Sequence, residues 1–258
     1  SVLAAATSGR LTEDWRFEQS GWREKDAWLS RPLGKIARFI DYRGKTPSKT
    51  TSGVALITAK NVRPGYLSAE PREFIAEEDY LGWMTRGFPK VGDVLITTEA
   101  PLGNVALISW NYKFALAQRL ICLQFEEGVL GSFAAIALQA ADFQKALMEQ
   151  SSGSTVAGIK ASRLKELPLS IPPIEEQTEI VRRVETLFAF ADRLEARLAQ
   201  AQAAATRLTP ALLAKAFRGE LVPQDPNDEP AAELLRRLAQ APAAASPRKG
   251  RKPASAAV

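Results

Sequence analysis

Histidine does not occur anywhere in this chain of 258 residues. Its absence excludes Ser–His and Cys–His catalysis, imidazole metal ligation and the side chain that titrates closest to neutral pH. Cysteine occurs once, as Cys122 in the apolar run Arg119-Leu120-Ile121-Cys122-Leu123-Gln124. No internal disulfide can form, so a reducing cytoplasm is the simplest setting. No apolar run approaches the ~20 residues that a membrane-spanning helix needs. The stretch 2–6 is too short for the core of a signal peptide, and the chain does not begin with Met. The phosphate-cradling pattern Gly-x-x-x-x-Gly-Lys-Ser/Thr and the dinucleotide pattern Gly-x-Gly-x-x-Gly are both missing. So is Asn/Asp-Pro-Pro-Tyr/Phe, with which adenine methyltransferases hold the target amine. These absences predict a chain with no catalytic residue, no metal and no cofactor of its own.

Charge is present but unevenly placed. The net charge is +5, and Arg248, Lys249, Arg251 and Lys252 supply four positives in a tail without acids. A surface for a polyanion must therefore come from clustering, not from bulk charge. Between residues 31 and 63, Arg31, Lys35, Arg38, Arg43, Lys45, Lys49, Lys60 and Arg63 face Asp41 alone. Residues 70–79 are acidic by contrast.

The chain reads as one globular region followed by a rod. Residues 13–32 are polar with irregular tryptophans and read as a linker. Residues 33–174 carry β-rich runs at 54–58, 94–98, 105–110 and 116–125, and an apolar helical face over 131–150. The strands are not interleaved with regular helices, which predicts an α+β fold with a mixed sheet. Pro168 confines the run at 167–171 to a sheet edge. Residues 219–240 hold a short helix opened by Asp228-Glu229-Pro230. The Ala/Pro/Ser/Lys/Arg composition of 241–258 predicts disorder.

Over 175–218 the pattern is a long coiled-coil-forming α-helix. Ile180, Leu187, Leu194, Ala201 and Leu208 recur every seven residues, and Val184, Ala191, Leu198, Ala205 and Leu212 recur four residues later. Pro210 predicts a kink near its end, and Gly219 a C-cap. One apolar stripe on so long a helix needs a partner to cover it. A repeat suggests its source: Leu3, Ala4, Ala6, Gly9 and Leu11 in 1–12 return as Leu213, Ala214, Ala216, Gly219 and Leu221 in 211–222. The expected partner is a second copy of the chain, or a matching helix from an upstream half that ends in residues 1–12.

Recognition chemistry clusters in three loops. Arg43, Lys45, Thr46 and Lys49 lie in a basic, hydroxyl-bearing loop suited to phosphate oxygens and base edges. Lys60, Asn61 and Arg63 add two cations and an amide; Asn can bond an adenine edge bidentately and Arg a guanine edge. Ser154 and Thr155 offer hydroxyls close to Lys160 and Arg163. Two alternatives remain open. One is a magnesium-dependent nuclease built on Asp93, Glu99 and a distant lysine. The other is a coiled-coil scaffold that binds no DNA.

Several motifs together carry a resemblance. They are Ser8-Gly9-Arg10-Leu11-Thr12, Leu33-Gly34-Lys35-Ile36, Ile57-Thr58-Ala59-Lys60-Asn61-Val62, Gly92-Asp93-Val94-Leu95-Ile96 and Gln118-Arg119. Leu164-Lys165-Glu166-Leu167-Pro168, Ile171-Pro172-Pro173-Ile174-Glu175-Glu176-Gln177, Ala214-Lys215-Ala216-Phe217-Arg218-Gly219-Glu220-Leu221 and Asn227-Asp228-Glu229-Pro230-Ala231 complete the set. The chain resembles the C-terminal half of the DNA-specificity subunit of type I restriction-modification enzymes. The resemblance implies a target-recognition domain over 33–174 that reads double-stranded DNA, followed by a conserved spacer and dimerisation helix. It also implies docking to methyltransferase (modification) subunits, which bind S-adenosylmethionine and methylate adenine N6, and to a restriction/translocase subunit. One recognition domain is present where the full-length family has two.

Overall fold

The computed structural model describes residues 1–19, 28–42, 46–153, 157–223, 225 and 227–240. Two units result, Ser1–Arg193 and Leu194–Val258.

In the first unit, α1 (Val2–Ser8) ends at Gly9, whose left-handed backbone (φ 79°) turns the chain into a 3-10 turn at Arg10–Thr12 and then α2 (Glu13–Glu18). The strands that follow are β1 (Leu29–Pro32), β2 (Ala37–Asp41), β3 (Val54–Ile57), β4 (Val62–Arg63), β5 (Tyr66–Leu67) and β6 (Phe74–Ile75). A short α3 (Tyr80–Trp83) precedes β7 (Val94–Thr98), β8 (Leu102–Leu107), β9 (Phe114–Leu116) and β10 (Leu120–Phe125). Then come α4 (Gly131–Gln139), α5 (Ala141–Glu149), α6 (Ala161–Glu166), β11 (Pro168–Ile171) and the long α7 (Ile174–Phe217).

An antiparallel sheet in the order β2-β10-β7-β8 divides the unit. Its central strands are apolar on both faces, as a sheet covered on both sides requires. Val94, Ile96, Val105, Ile121 and Leu123 join one core, which α4, α5, α6, α1 and the first turns of α7 complete. Leu95, Ala106, Leu120 and Cys122 join a second core against the sheet β6-β3-β9, in which β3 and β9 are parallel. Period-two alternation thus sends neighbouring side chains into different cores. Gly131 opens α4 against the carbonyl of Gly92; a Cβ there would sit 1.9 Å from that oxygen, so only glycine fits. The mixed α+β architecture agrees with the sequence reading.

Four sequence expectations need correction. The linker expected over 13–32 is structured where it is described: α2 carries the buried Arg16 and β1 pairs with β11, while Trp28 packs against the first core as a tryptophan of such a segment would; 20–27 lie outside the described residues. The helix expected over 131–150 is broken at Ala140, whose extended backbone (ψ 147°) separates α4 from α5. The strand expected over 116–125 is two strands, β9 and β10, joined by a turn at Arg119 (φ 72°). The fourth concerns the apolar stripe of α7. Ile180 and Val184 are 0% and 2% exposed and pack into the first core, so they are not free for a partner.

Buried polar groups tie α7 to the start of the chain. Glu176 and Gln177 are fully buried. Glu176 Oε1 accepts from Thr12 Oγ1 (2.7 Å) and pairs with the Arg16 guanidinium, while Oε2 accepts from Trp28 Nε1 (2.8 Å). Gln177 donates to the carbonyls of Gly128 and Pro172 and accepts from Leu130 N, each at 2.8 Å. Every one of these buried groups therefore has partners, which removes the desolvation penalty it would otherwise carry.

In the second unit, α7 continues to Phe217 and is capped by Gly219 in the left-handed region (φ 70°), with Glu220 N donating to Lys215 O (2.9 Å). The expected short helix is α8 (Ala231–Gln240). From Leu194 onward every described seam residue is exposed, including Leu194, Leu198, Leu208 and Leu212. The 241–258 tail lies outside the described residues.

Candidate nucleic-acid interface

The site forms where β7 and β9 end. Ala100 and Arg119 both occupy left-handed backbone (φ 47° and 72°), a conformation that costs a non-glycine residue on the order of 1–3 kcal/mol and concentrates at functional sites. Arg119 Nε lies 2.9 Å from Glu99 Oε1, and both side chains are about half exposed.

Arg119 lines a cleft of about 240 Å³ with Gln118, Thr46, Lys49 and Lys60. Lys49 Nζ pairs with Glu73 Oε2 at 2.7 Å across the same cleft. The two cation–carboxylate pairs hold their cations in place while leaving them exposed. Partly exposed pairs are worth little in water, so an incoming polyanion can exchange with the carboxylates at small cost.

The flanks of two loops converge here. Thr46 follows 43–45 directly. On the other side, Ser152 and Gly158 exchange backbone hydrogen bonds (2.9 and 3.0 Å), and Gly158 bridges to Glu99 in the backbone. Ile159 N then donates to Thr98 O (3.0 Å), pinning the loop base to the end of β7. Arg43, Lys45, Ser154 and Thr155 lie outside the described residues. Lys160 follows Ile159 and is exposed; Arg163 is exposed on α6 and pairs with Glu166 at 3.4 Å. Neither lines the cleft.

Asn61, expected at a base edge, has another role. It is 1% exposed. Its Oδ1 accepts from Thr58 N (3.0 Å) and Thr58 Oγ1 (2.9 Å), and its Nδ2 donates to the carbonyls of Ser68 (3.1 Å) and Pro71 (3.0 Å). The amide is saturated by its own loop and holds it in the shape that exposes Lys60 and Arg63. Arg63 sits across from Tyr66 in the β4–β5 hairpin, which is anchored by Gly65 N to Val105 O (2.9 Å) and by Asn104 Nδ2 to Val62 O (2.9 Å). Sequence reasoning matched Gln118-Arg119 to a family pattern but did not place Arg119 at the site; its turn carries no glycine to mark it.

The nuclease alternative fails on geometry. The Asp93 carboxylate is buried and accepts from Lys90 N (2.8 Å) and Gln124 Nε2 (2.6 Å), with Cys122 Sγ at 3.6 Å. It closes a turn, while Glu99 faces Arg119. Burial, then the Asp93 charge, pushes the Cys122 thiol well above its ordinary pKa, so it is a core group and not a nucleophile. Among the described residues no three His, Cys, Asp or Glu side chains gather to hold a metal ion, and no helix is long and apolar enough to cross a membrane.

Residues 63–202 match the type I restriction modification DNA specificity domain, and the chain belongs to that family. Its members supply specificity and not catalysis. The chain is 29% identical over 232 residues to the EcoKI specificity subunit of Escherichia coli K12, covering 87% of this chain and 49% of that one. It is 31% identical over 237 residues to the EcoBI specificity subunit of Escherichia coli, covering 87% and 50%. The chain thus spans about half the length of the curated relatives it matches. Among solved structures, a chain from a type I R-M system aligns with a TM-score of 0.57 at 22% identity, covering 83% of this chain and 52% of that one. The HsdS subunit of Thermoanaerobacter tengcongensis aligns with a TM-score of 0.54 at 22% identity, covering 85% and 57%. These structural likenesses bear on the fold.

Proposed function

We propose that this chain recognises double-stranded DNA in a sequence-specific way and directs a type I adenine-N6 methyltransferase, and the restriction/translocase subunit, to the target. The observation that carries this reading is the cleft in which Thr46, Lys49, Lys60 and Arg119 meet at the flanks of two loops, in a chain of the DNA specificity domain family. Exposed cations at a cleft rim suit phosphates, and their guanidinium and ammonium groups suit base edges as well. The first unit is the reading lobe, and α7 is the spacer and the docking surface for methyltransferase subunits. In this reading S-adenosylmethionine is bound by the methyltransferase, the adenine chemistry happens on that partner, and this chain contributes position.

Duplex affinity measured against salt tests the reading. Phosphate contacts impose a steep negative slope of log affinity on log salt, whereas a flat titration would reject DNA as the ligand. Mapping methylated adenines in cells that hold the matching methyltransferase, with and without this chain, tests the directing role. An unchanged methylation pattern would reject it.

A further inference from the structure

A second hollow adjoins the cationic cleft. It encloses about 270 Å³ and is walled by Phe74, Trp110 and Tyr112. Leu56 and Glu73 line both this hollow and the cleft that holds Lys49 and Lys60, so the two share a wall.

Its aromatic side is assembled in advance. The Trp110 and Tyr112 rings stack with centroids 5.4 Å apart and planes at 17°. Phe114, which is buried in the second core, meets them edge-on at 6.0 and 6.4 Å and steadies both. Tyr112 is nonetheless 52% exposed. Among the described residues, neither the Trp110 indole N–H nor the Tyr112 hydroxyl has a hydrogen-bond partner. Such a pair offers a planar guest an apolar face and two polar handles. A platform ordered before binding also spares the guest the cost of ordering it.

Charge selects the guest. Arg72 lines the hollow and is paired with the exposed Glu70 at 2.9 Å, a contact of little strength in water. Lys49 and Lys60 stand on the other side of Glu73, in the cleft. Cations on both sides disfavour a cationic guest and suit one flanked by phosphates. A nucleobase within a DNA strand has that form, being planar with a phosphate before it and after it. Bases stack on aromatic side chains whatever their sequence, because each has a π-face. A base in a closed duplex presents its face only to its neighbours, so this guest has left its stack. The Glu73 carboxylate at the shared wall can accept from an exocyclic amino group, as carboxylates do from cytosine N4.

We propose that the hollow walled by Trp110 and Tyr112 receives one unstacked nucleobase of the bound DNA strand, while the flanking phosphates lie on Arg72 and on Lys49 and Lys60. The inference rests on the DNA reading of the preceding section and adds a deformation to it: the duplex opens at one base beside the cleft.

Opening costs least where a base is already unpaired. A duplex with one bulged 2-aminopurine, compared with the same duplex lacking the bulge, therefore tests the proposal. The parent chain should bind the bulged duplex about tenfold tighter or more. The 2-aminopurine emission should fall on binding, as the base stacks on a ring. Tyr112→Ala should remove both the advantage and the quenching, and Tyr112→Phe should keep both, because the ring remains. The site is exposed, so circular dichroism should show the parent fold in both variants. Equal affinity for the two duplexes would overturn the proposal. So would an advantage that survives Tyr112→Ala, or equal quenching of the free 2-aminopurine nucleotide at the same concentration, which would make the hollow a site for loose nucleotides and not for a strand. Binding of neither duplex by the parent chain would instead overturn the DNA reading, and this inference with it.

Discussion

Arg16 and Glu176, 160 residues apart in the chain, form a buried ion pair at the root of the long helix. Their side chains are 8% and 0% exposed. Thr12 and Trp28 complete the hydrogen bonding of the carboxylate, and Gly9 O accepts from the guanidinium. The pair fastens the first 16 residues and α7 to the same core. Replacing one member leaves an uncompensated buried charge. Arg16→Met is expected to cost about 3–5 kcal/mol in denaturant unfolding. Adding Glu176→Gln to it should recover part of the loss, because the stranded charge is gone. A double variant less stable than Arg16→Met alone would show that the charge is not what matters.

Acid should loosen the same root. The hydrogen bond from Arg182, aided by that from Arg183, lowers the Glu179 carboxyl from its ordinary 4.5 to about 2. A carboxylate whose pKa is depressed in the folded state adds stability above the unfolded value and loses it as pH falls through the folded one. The stability difference between the parent and Glu179→Gln should be full above about 4.5 and gone near 2. Urea melts over that range check it; a constant difference would refute the assignment.

Asn61 and Lys60 are neighbours with opposite expected phenotypes. Asn61→Ala strips partners from partly buried backbone groups and empties a buried side-chain site, and it should lower stability by about 1–3 kcal/mol. Lys60→Ala should leave the melting temperature unchanged, weaken binding about equally on all duplexes and reduce the salt slope by about 1. Arg63→Ala is the contrasting case: if its guanidinium grips a base, about 1–3 kcal/mol is lost on the cognate duplex only. Equal loss on random DNA would make it a phosphate contact.

Charge placed in the seam should separate the copies. If a second copy covers the stripe, Leu194→Glu with Leu198→Glu puts four carboxylates into the contact, and sedimentation should then show monomers. Since both positions are exposed in the single chain, the melting of the first unit should not move. A dimer that survives both substitutions would place the contact elsewhere.

The long helix was legible because its period is strict and uninterrupted from Ile180 to Leu212. The same strictness hid a boundary: one stripe serves the domain core at Ile180 and Val184 and lies exposed from Leu187, and periodicity does not distinguish the two. The breaks at Ala140 and Arg119 carry no glycine or proline, so composition predicts one helix and one strand where there are two of each. The Asn61 amide edge can read adenine, yet the same edge satisfies backbone carbonyls equally well, and only burial decides between them. Glu175-Glu176-Gln177 stood out as a pattern, but its physical reason needed Arg16, Trp28 and Gly128, which are distant in sequence. Lys49 and Lys60 were legible because two cations in adjacent basic loops do share one cleft.

The Ser152–Gly158 closure uses only main-chain atoms, and so does the tether from Ile159 to Thr98. Main-chain bonds of this kind are available to every residue except proline, so substitutions at Ser152 or Ile159 that keep the backbone N–H leave these bonds in place.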